Sequence, residues 1–399
     1  MIRTHEPKRI LDTEDDVVVV DARRFEEFNT MSIPRGRSLP GGELVYRIHD
    51  LAPSPDTLVI VNCAGRTRSI IGTQSLVNAG IPNRVVALRN GTIGWTLEGL
   101  ELETRRTERV PEPSAEARAK ARANAARWAA HVGVPVIGAQ DLARFRAEAE
   151  ERTLYTLDVR DPSEHAAGHP AGFASAPGGQ LVQASDEWLG VRGARVVLYD
   201  DDGVRARMTA SWLVQMGWSA HVLAEDAVLP DNVREPSAER IDLSAPPHAV
   251  ITPRELEALK GAAIVDLARS PAYRRGHVPG AWFASGPELS RDLRSLPGEG
   301  PVVLTSPDGR LATANLADAL AITGGRGALL LDGGTDAWTQ AGLPLETEAR
   351  WLSDRIDVYK RPYEGTDNAK ANMQGYIDWE LQLVAQLAND GVAKFHVRR

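Results

Sequence analysis

Residues 17–23, VVVVDAR, read as a buried strand whose last residue, Asp21, opens a loop. The phrase returns twice: LYTLDVR at 154–160 ends its strand at Asp158, and AAIVDLAR at 262–269 ends at Asp266. Short apolar runs rich in β-branched residues and closed by a turn residue are the pattern of strands buried on both faces. Counting outward from each aspartate, the copies stay in step. Eleven residues on come Ser32 in SIPRG, His169 in GHPAG and His277 in GHVPG, and twenty-three residues on come Leu44, Leu181 and Leu289. A second strand then leads to Cys63 (LVIVN), Asp200 (VVLY) and Ser306 (PVVLT), at 42, 42 and 40 residues past the anchors.

Helix-like stretches follow, SIIGTQSLVNAG, MTASWLVQMG and LATANLADALAITGG, each ending in glycine as helices often do. Third strands RVVAL, AHVLA and GALLL come next, and two copies close with NGTIGW to Trp95 and GGTDAW to Trp338. The second copy has AEDAVLPDN there instead. Short strands alternating with helices predict an α/β protein of three tandem modules with parallel sheets, plus a helical C-terminal tail. The expected boundaries are a first module at 1–109, a linker helix at 110–132, a second module at 133–229, a Pro-rich linker at 230–248, a third module at 249–346 and the tail at 347–399. Within the tail, Met373, Ile377, Leu381, Val384 and Ala388 share a helical stripe, expected to pack on a module or a second subunit.

Composition limits the function. The 399 residues carry 46 Lys+Arg against 54 Asp+Glu, a net charge of −8, which argues against general nucleic-acid binding. No apolar run is long enough to cross a membrane, and the N-terminus shows no secretory signal. The one cysteine, Cys63, excludes an internal disulfide and a multi-thiolate zinc site, so a reducing, cytoplasmic setting is expected.

Together the D-x-R strand end, the GHVPG-like turn, the strand ending in cysteine and the closing GGxxxW turn resemble the rhodanese domain. The whole resembles bacterial multidomain rhodanese-type sulfurtransferases, and NCAGRTRS at 62–69 is the most specific element. The resemblance implies that thiosulfate, or a similar small anionic donor, hands a sulfane sulfur to Cys63, and that cyanide or a thiol accepts it. No cofactor or metal is called for. The first module departs from the pattern: Ser32 stands where the others have histidine, and only MIRTHEPKRILDTEDD precedes its strand. An N-terminally shortened member of a longer family is one expectation from this.

The residues themselves supply a chemical reason. A free thiol has a pKa of about 8.5, so sulfur transfer needs its thiolate, and later the persulfide anion, to be stabilised. Cys63 lies between a strand and a helix N-terminus, and Ala64, Gly65, Arg66, Thr67, Arg68 and Ser69 form a short loop whose N–H groups could converge on an anion. Arg66 and Arg68 add two cations. The alternatives are a buried inert cysteine and solvated surface arginines. A cysteine phosphatase is disfavoured because Ser69, not arginine, stands six positions after Cys63.

Asp21, His169 and His277 recur, or have counterparts, in modules without cysteine. They are expected to be scaffold and turn residues, with Asp21 pairing with Arg23. Asp200 and Ser306 cannot carry a persulfide, so the second and third modules are expected to be catalytically silent, serving packing, acceptor binding or a homo-oligomer. A persulfide carrier serving a partner protein is the alternative to an enzyme.

Overall fold

The three apolar runs lie beside the strands that lead to Cys63, Asp200 and Ser306, inside three separate parallel sheets. The structure is a computed structural model and describes residues 5–13, 16–227, 249–358, 361–362 and 369–398. The chain divides into two compact units, Met1–Pro236 with Arg361–Arg399, and Ser237–Lys360. The expected linker at 230–248 lies outside the described residues.

In the first unit, one sheet runs in the order Gly36–Ser38, Val17–Asp21, Leu58–Asn62, Val85–Ala87. The other runs Val136–Ile137, Ser219–Leu223, Arg195–Tyr199, Leu154–Asp158, Ala174–Ser175. Register explains the constant offset of 42 residues. Asp21 pairs with Asn62 and Asp158 with Tyr199, so the residue after each partner stands at the carboxyl end of its sheet. Ligand sites of open parallel sheets lie at that end. Before Val17 the described residues form a helix, His5–Thr13, and the first sheet has no counterpart of Val136–Ile137.

The segment expected to be a linker helix proves to be a core element as well. Ser114 accepts the N–H of Ala117 and caps the helix Ala115–Val132. Ala117, Ala121, Ala125 and Trp128 form one buried stripe, packed against the helices Leu44–Leu51 and Arg205–Gln215. One hydrophobic cluster therefore serves both modules. Their backbones also run close together. A side chain on Gly179 would come within 2.7 Å of the Gly42 nitrogen, so only glycine fits there. The third copy has Pro287 at this place.

The C-terminal helix, Lys370–Asp390, corrects the expected stripe. Met373 and Ile377 are buried, in a cluster with Ile93 of the helix Gly91–Leu97. Leu381 and Val384, however, are 52% and 78% exposed, and Ala388 is exposed too. The buried face continues three residues after Ile377, to Glu380.

The second unit holds one sheet, ordered Val250–Ile251, Ala328–Leu331, Val302–Thr305, Ala263–Asp266, Trp282–Phe283, Arg350–Trp351. Asp266 pairs with Thr305, which places Ser306 at the same sheet end. The third aspartate differs from the others in one respect. Asp21 is bound by Arg23 and Asp158 by Arg160, whereas position 268 is alanine and, among the described residues, the Asp266 carboxyl accepts its N–H alone, at 2.8 Å. The D-x-R phrase is thus broken in the third copy. Burial pushes the Asp266 carboxyl up to about 7, against the pull of that one hydrogen bond.

Candidate active site

The strand Leu58–Asn62 is buried throughout and delivers Cys63, itself 1% exposed, to the start of the loop. Two backbone bonds hold the loop. The Thr92 N–H donates to Cys63 O and the Ile93 N–H to Ala64 O, each at 2.9 Å. Both donors belong to the helix Gly91–Leu97, and a Cβ on Gly91 would collide with the Cys63 carbonyl. Next comes the helix Thr67–Ala79, with Arg66 as its N-cap residue. The Cys63 thiol donates to Ser69 Oγ at 3.3 Å, and Ser69 Oγ donates to Arg66 O at 3.0 Å.

The loop favours an anion at sulfur, but its surroundings oppose one. Burial pushes the Cys63 thiol up, the Arg68 charge and the bonds from Ser69 pull it down, and the Glu380 charge adds to the upward push. The loop's stabilisation of the thiolate is therefore outweighed in this arrangement. Arg68 is also not a solvated cation. It makes a two-pronged pair with Glu27, Nη1–Oε2 2.6 Å and Nη2–Oε1 2.8 Å. Burial would raise the Glu27 carboxyl, but the Arg68 hydrogen bond and charge hold it below its ordinary range. Arg66 makes one long bond, to Asn90 Oδ1 at 3.4 Å.

The expected scaffold residues are in place. Arg23 binds Asp21 through Nε and Nη2 at 2.9 and 2.8 Å, and Asn62 Nδ2 donates to Asp21 Oδ2 at 2.8 Å. His169 Nδ1 bonds His165 O and His277 Nδ1 bonds Tyr273 O, both at 2.8 Å, within their turns.

Sequence reasoning missed Glu380. The C-terminal helix passes over the loop, and Thr67 Oγ1 donates to Glu380 Oε1 at 2.9 Å. A Cβ on Gly65 would collide with the Glu380 carboxylate and come within 3.0 Å of Tyr376. Gly65 thus makes room for the tail. No periodicity could have signalled a contact spanning 313 residues.

The other two loops show what the first leaves open. Asp200 Oδ2 accepts the N–H groups of Val204 and Ala206, each at 2.9 Å, so a carboxyl oxygen of the chain itself takes up the loop's N–H groups. Asp202 Oδ1 accepts Val204 and Arg205 N–H at 2.7 and 3.0 Å. Burial, reinforced by the Asp202 charge, pushes the Asp200 carboxyl well up. In the third module Ser306 Oγ accepts the Ala312 N–H at 3.3 Å. Ser69, Ala206 and Ala312 all lie six residues past the first loop position.

Fold and site together define a class: a repeated α/β protein that presents a single thiol in a short strand-to-helix loop at the carboxyl end of a parallel sheet. The chain belongs to the rhodanese family, with matches to the rhodanese-like domain over residues 4–98, 139–226 and 252–341. The crystal structure of a thiosulfate sulfurtransferase from Pseudomonas aeruginosa matches it with 49% identity and a TM-score of 0.91, covering 100% of this chain and 76% of that one. An HTH-type transcriptional regulator of Mycobacterium tuberculosis is 26% identical over 209 residues, which is 51% of this chain and 89% of that protein. The chain is a rhodanese-type enzyme. No helix among the described residues is long and apolar enough to cross a membrane.

Proposed function

We propose that the protein is a sulfurtransferase that moves a sulfane sulfur from thiosulfate, or a similar small anionic donor, through a Cys63 persulfide to cyanide or a thiol. The observation that carries this reading is the placement of Cys63 at the loop position whose counterpart in the second module, Asp200, accepts two N–H groups of its loop. In the first half-reaction the Cys63 thiolate attacks the outer sulfur of thiosulfate. The S–S bond of the donor breaks, sulfite leaves with the electron pair, and Cys63 holds a persulfide anion. Cyanide then takes the outer sulfur as thiocyanate and regenerates the thiolate.

In this reading the N–H groups of the loop Ala64, Gly65, Arg66, Thr67, Arg68 and Ser69 surround the persulfide anion, as N–H groups surround Asp200. Arg66 supplies the charge for the donor, while Arg68, tied to Glu27, shapes the loop and contributes its field. Ser69, which accepts the thiol proton's bond, can turn its hydroxyl to donate to the thiolate. Steady-state kinetics with thiosulfate and cyanide test the reading. Parallel double-reciprocal lines are expected for the two-step exchange. Loading without turnover would instead assign a carrier that passes sulfur to a partner protein.

A further inference from the structure

Glu380 brings a carboxyl group from the C-terminal helix against the loop that follows Cys63. Its residue is 8% exposed, Oε1 is held by Thr67, and Oε2 is buried with no hydrogen-bond partner among the described residues. That oxygen lies against Gly65, inside the loop that surrounds Cys63. A buried carboxylate oxygen without a donor is costly, and it is satisfied best by a charged N–H group. Nothing described in the protein supplies that group. A bare dianion approaching the same place meets like charge in a site from which water is largely excluded.

We propose that Glu380 of the C-terminal helix is a specificity-determining residue of the Cys63 site, selecting sulfane-sulfur donors that carry an ammonium group close to the sulfur over small dianions. The inference rests on the sulfur-transfer reading and sharpens its donor class. The favoured donor is the persulfide of an aminothiol. The Cys63 thiolate attacks its outer sulfur, the donor's S–S bond breaks, the aminothiol leaves as a thiolate, and Cys63 retains the sulfur and its proton as a persulfide. The ammonium group meanwhile donates to Glu380 Oε2. Thiosulfate remains a donor under this account, at a disadvantage imposed by the carboxylate.

The test compares three donors on the full chain: thiosulfate, the persulfide of 2-aminoethanethiol and the persulfide of 2-mercaptoethanol, which differ in charge while the last two match in size. The variant Glu380→Gln keeps the shape and removes the charge, and Glu380→Asp keeps the charge. In Glu380→Gln, kcat/KM is expected to rise about tenfold for thiosulfate and fall about tenfold for the amino persulfide, mainly through KM, with the hydroxyl persulfide unchanged. Glu380→Asp is expected to retain the wild-type order of donors. Equal changes for all three donors, or none, with sulfur loading intact, would overturn the role of Glu380 and leave the sulfur-transfer reading standing. Failure of the wild-type protein to load sulfur from any of the three would overturn that reading, and the proposal with it.

Discussion

The loops at Cys63 and Asp200 are built on the same frame and end in different chemistry. Each follows the strand paired with an Asp–Arg anchor, and in each the residue six positions on bonds the first, through Ser69 Oγ in one loop and the Ala206 N–H in the other. They even share an ion pair. Arg68 binds Glu27 as Arg205 binds Glu164, at matching positions in the two copies. An interaction present in the module without a thiol belongs to the frame. What differs is the occupant of the anion position, a sulfur in one loop and the chain's own carboxylate in the other. Arg205 is further drawn into pairs with Asp202 and, in the first module, Glu43. The second loop thus turns its own acidic side chains onto its N–H groups and its arginine, whereas in the first loop a sulfur stands at that position.

Breaking the anchors should produce the largest effects on stability. Asp21→Asn leaves the Arg23 guanidinium buried without its carboxylate and should cost about 3–5 kcal/mol, read as faster hydrogen exchange in strand Val17–Asp21. Asp266→Asn has no arginine to strand and should be tolerated. Its effect also has a sign in pH. With a carboxyl at about 7 in the fold against about 3.9 unfolded, the native state binds the extra proton between those values. That stabilisation is in place below about pH 4 and is lost as pH rises through about 7. Exchange in strand Ala263–Asp266 should quicken over this window in the wild type, and less so in Asp266→Asn. A flat wild-type profile would contradict the assignment.

The two loop arginines should separate next. Arg66→Ala is expected to raise KM for thiosulfate by about 1.5–3 kcal/mol in binding, with the melting temperature unchanged. Arg68→Ala should lower the melting temperature as well, since Glu27 then loses both hydrogen bonds. Indistinguishable melting curves for the two variants would remove the distinction drawn between them.

The mildest threshold belongs to the exchanged loop. In a Cys63→Ser background, Asp200→Cys places a thiol in the second frame beside Asp201 and Asp202, whose charges disfavour a thiolate. Turnover should stay more than about tenfold below wild type, at least roughly 1.4 kcal/mol in barrier. Activity within that range would show that the sulfur alone, rather than the loop around it, makes the site.

Much of this was legible because repeats carry their own controls. Three aspartates at fixed spacing gave the sheets, and the loop after LVIVN gave the position of Cys63. The pairing of Arg68 was legible in principle, since Glu27 and Glu164 lie at equal distances from their anchors. In the third copy both partners are replaced together, by Ala272 and Leu311. The loop sequence by itself leaves both arginines open to substrate, and only the fold pairs Arg68. The tail was not legible. Its apolar stripe was read on ideal spacing, but contact with Ile93 fixes the helix face through Met373 and Ile377, and three residues later that face presents Glu380. The Glu380 charge beside Cys63 was hidden for the same reason, because it comes from packing distant in sequence.

Mass spectrometry of the full chain after incubation with thiosulfate tests the central claim most directly. The account predicts the gain of one sulfur atom, mapped to the peptide bearing Cys63, lost on adding cyanide and absent from Cys63→Ser. No mass gain in the wild type, or a gain that persists in Cys63→Ser, would contradict it.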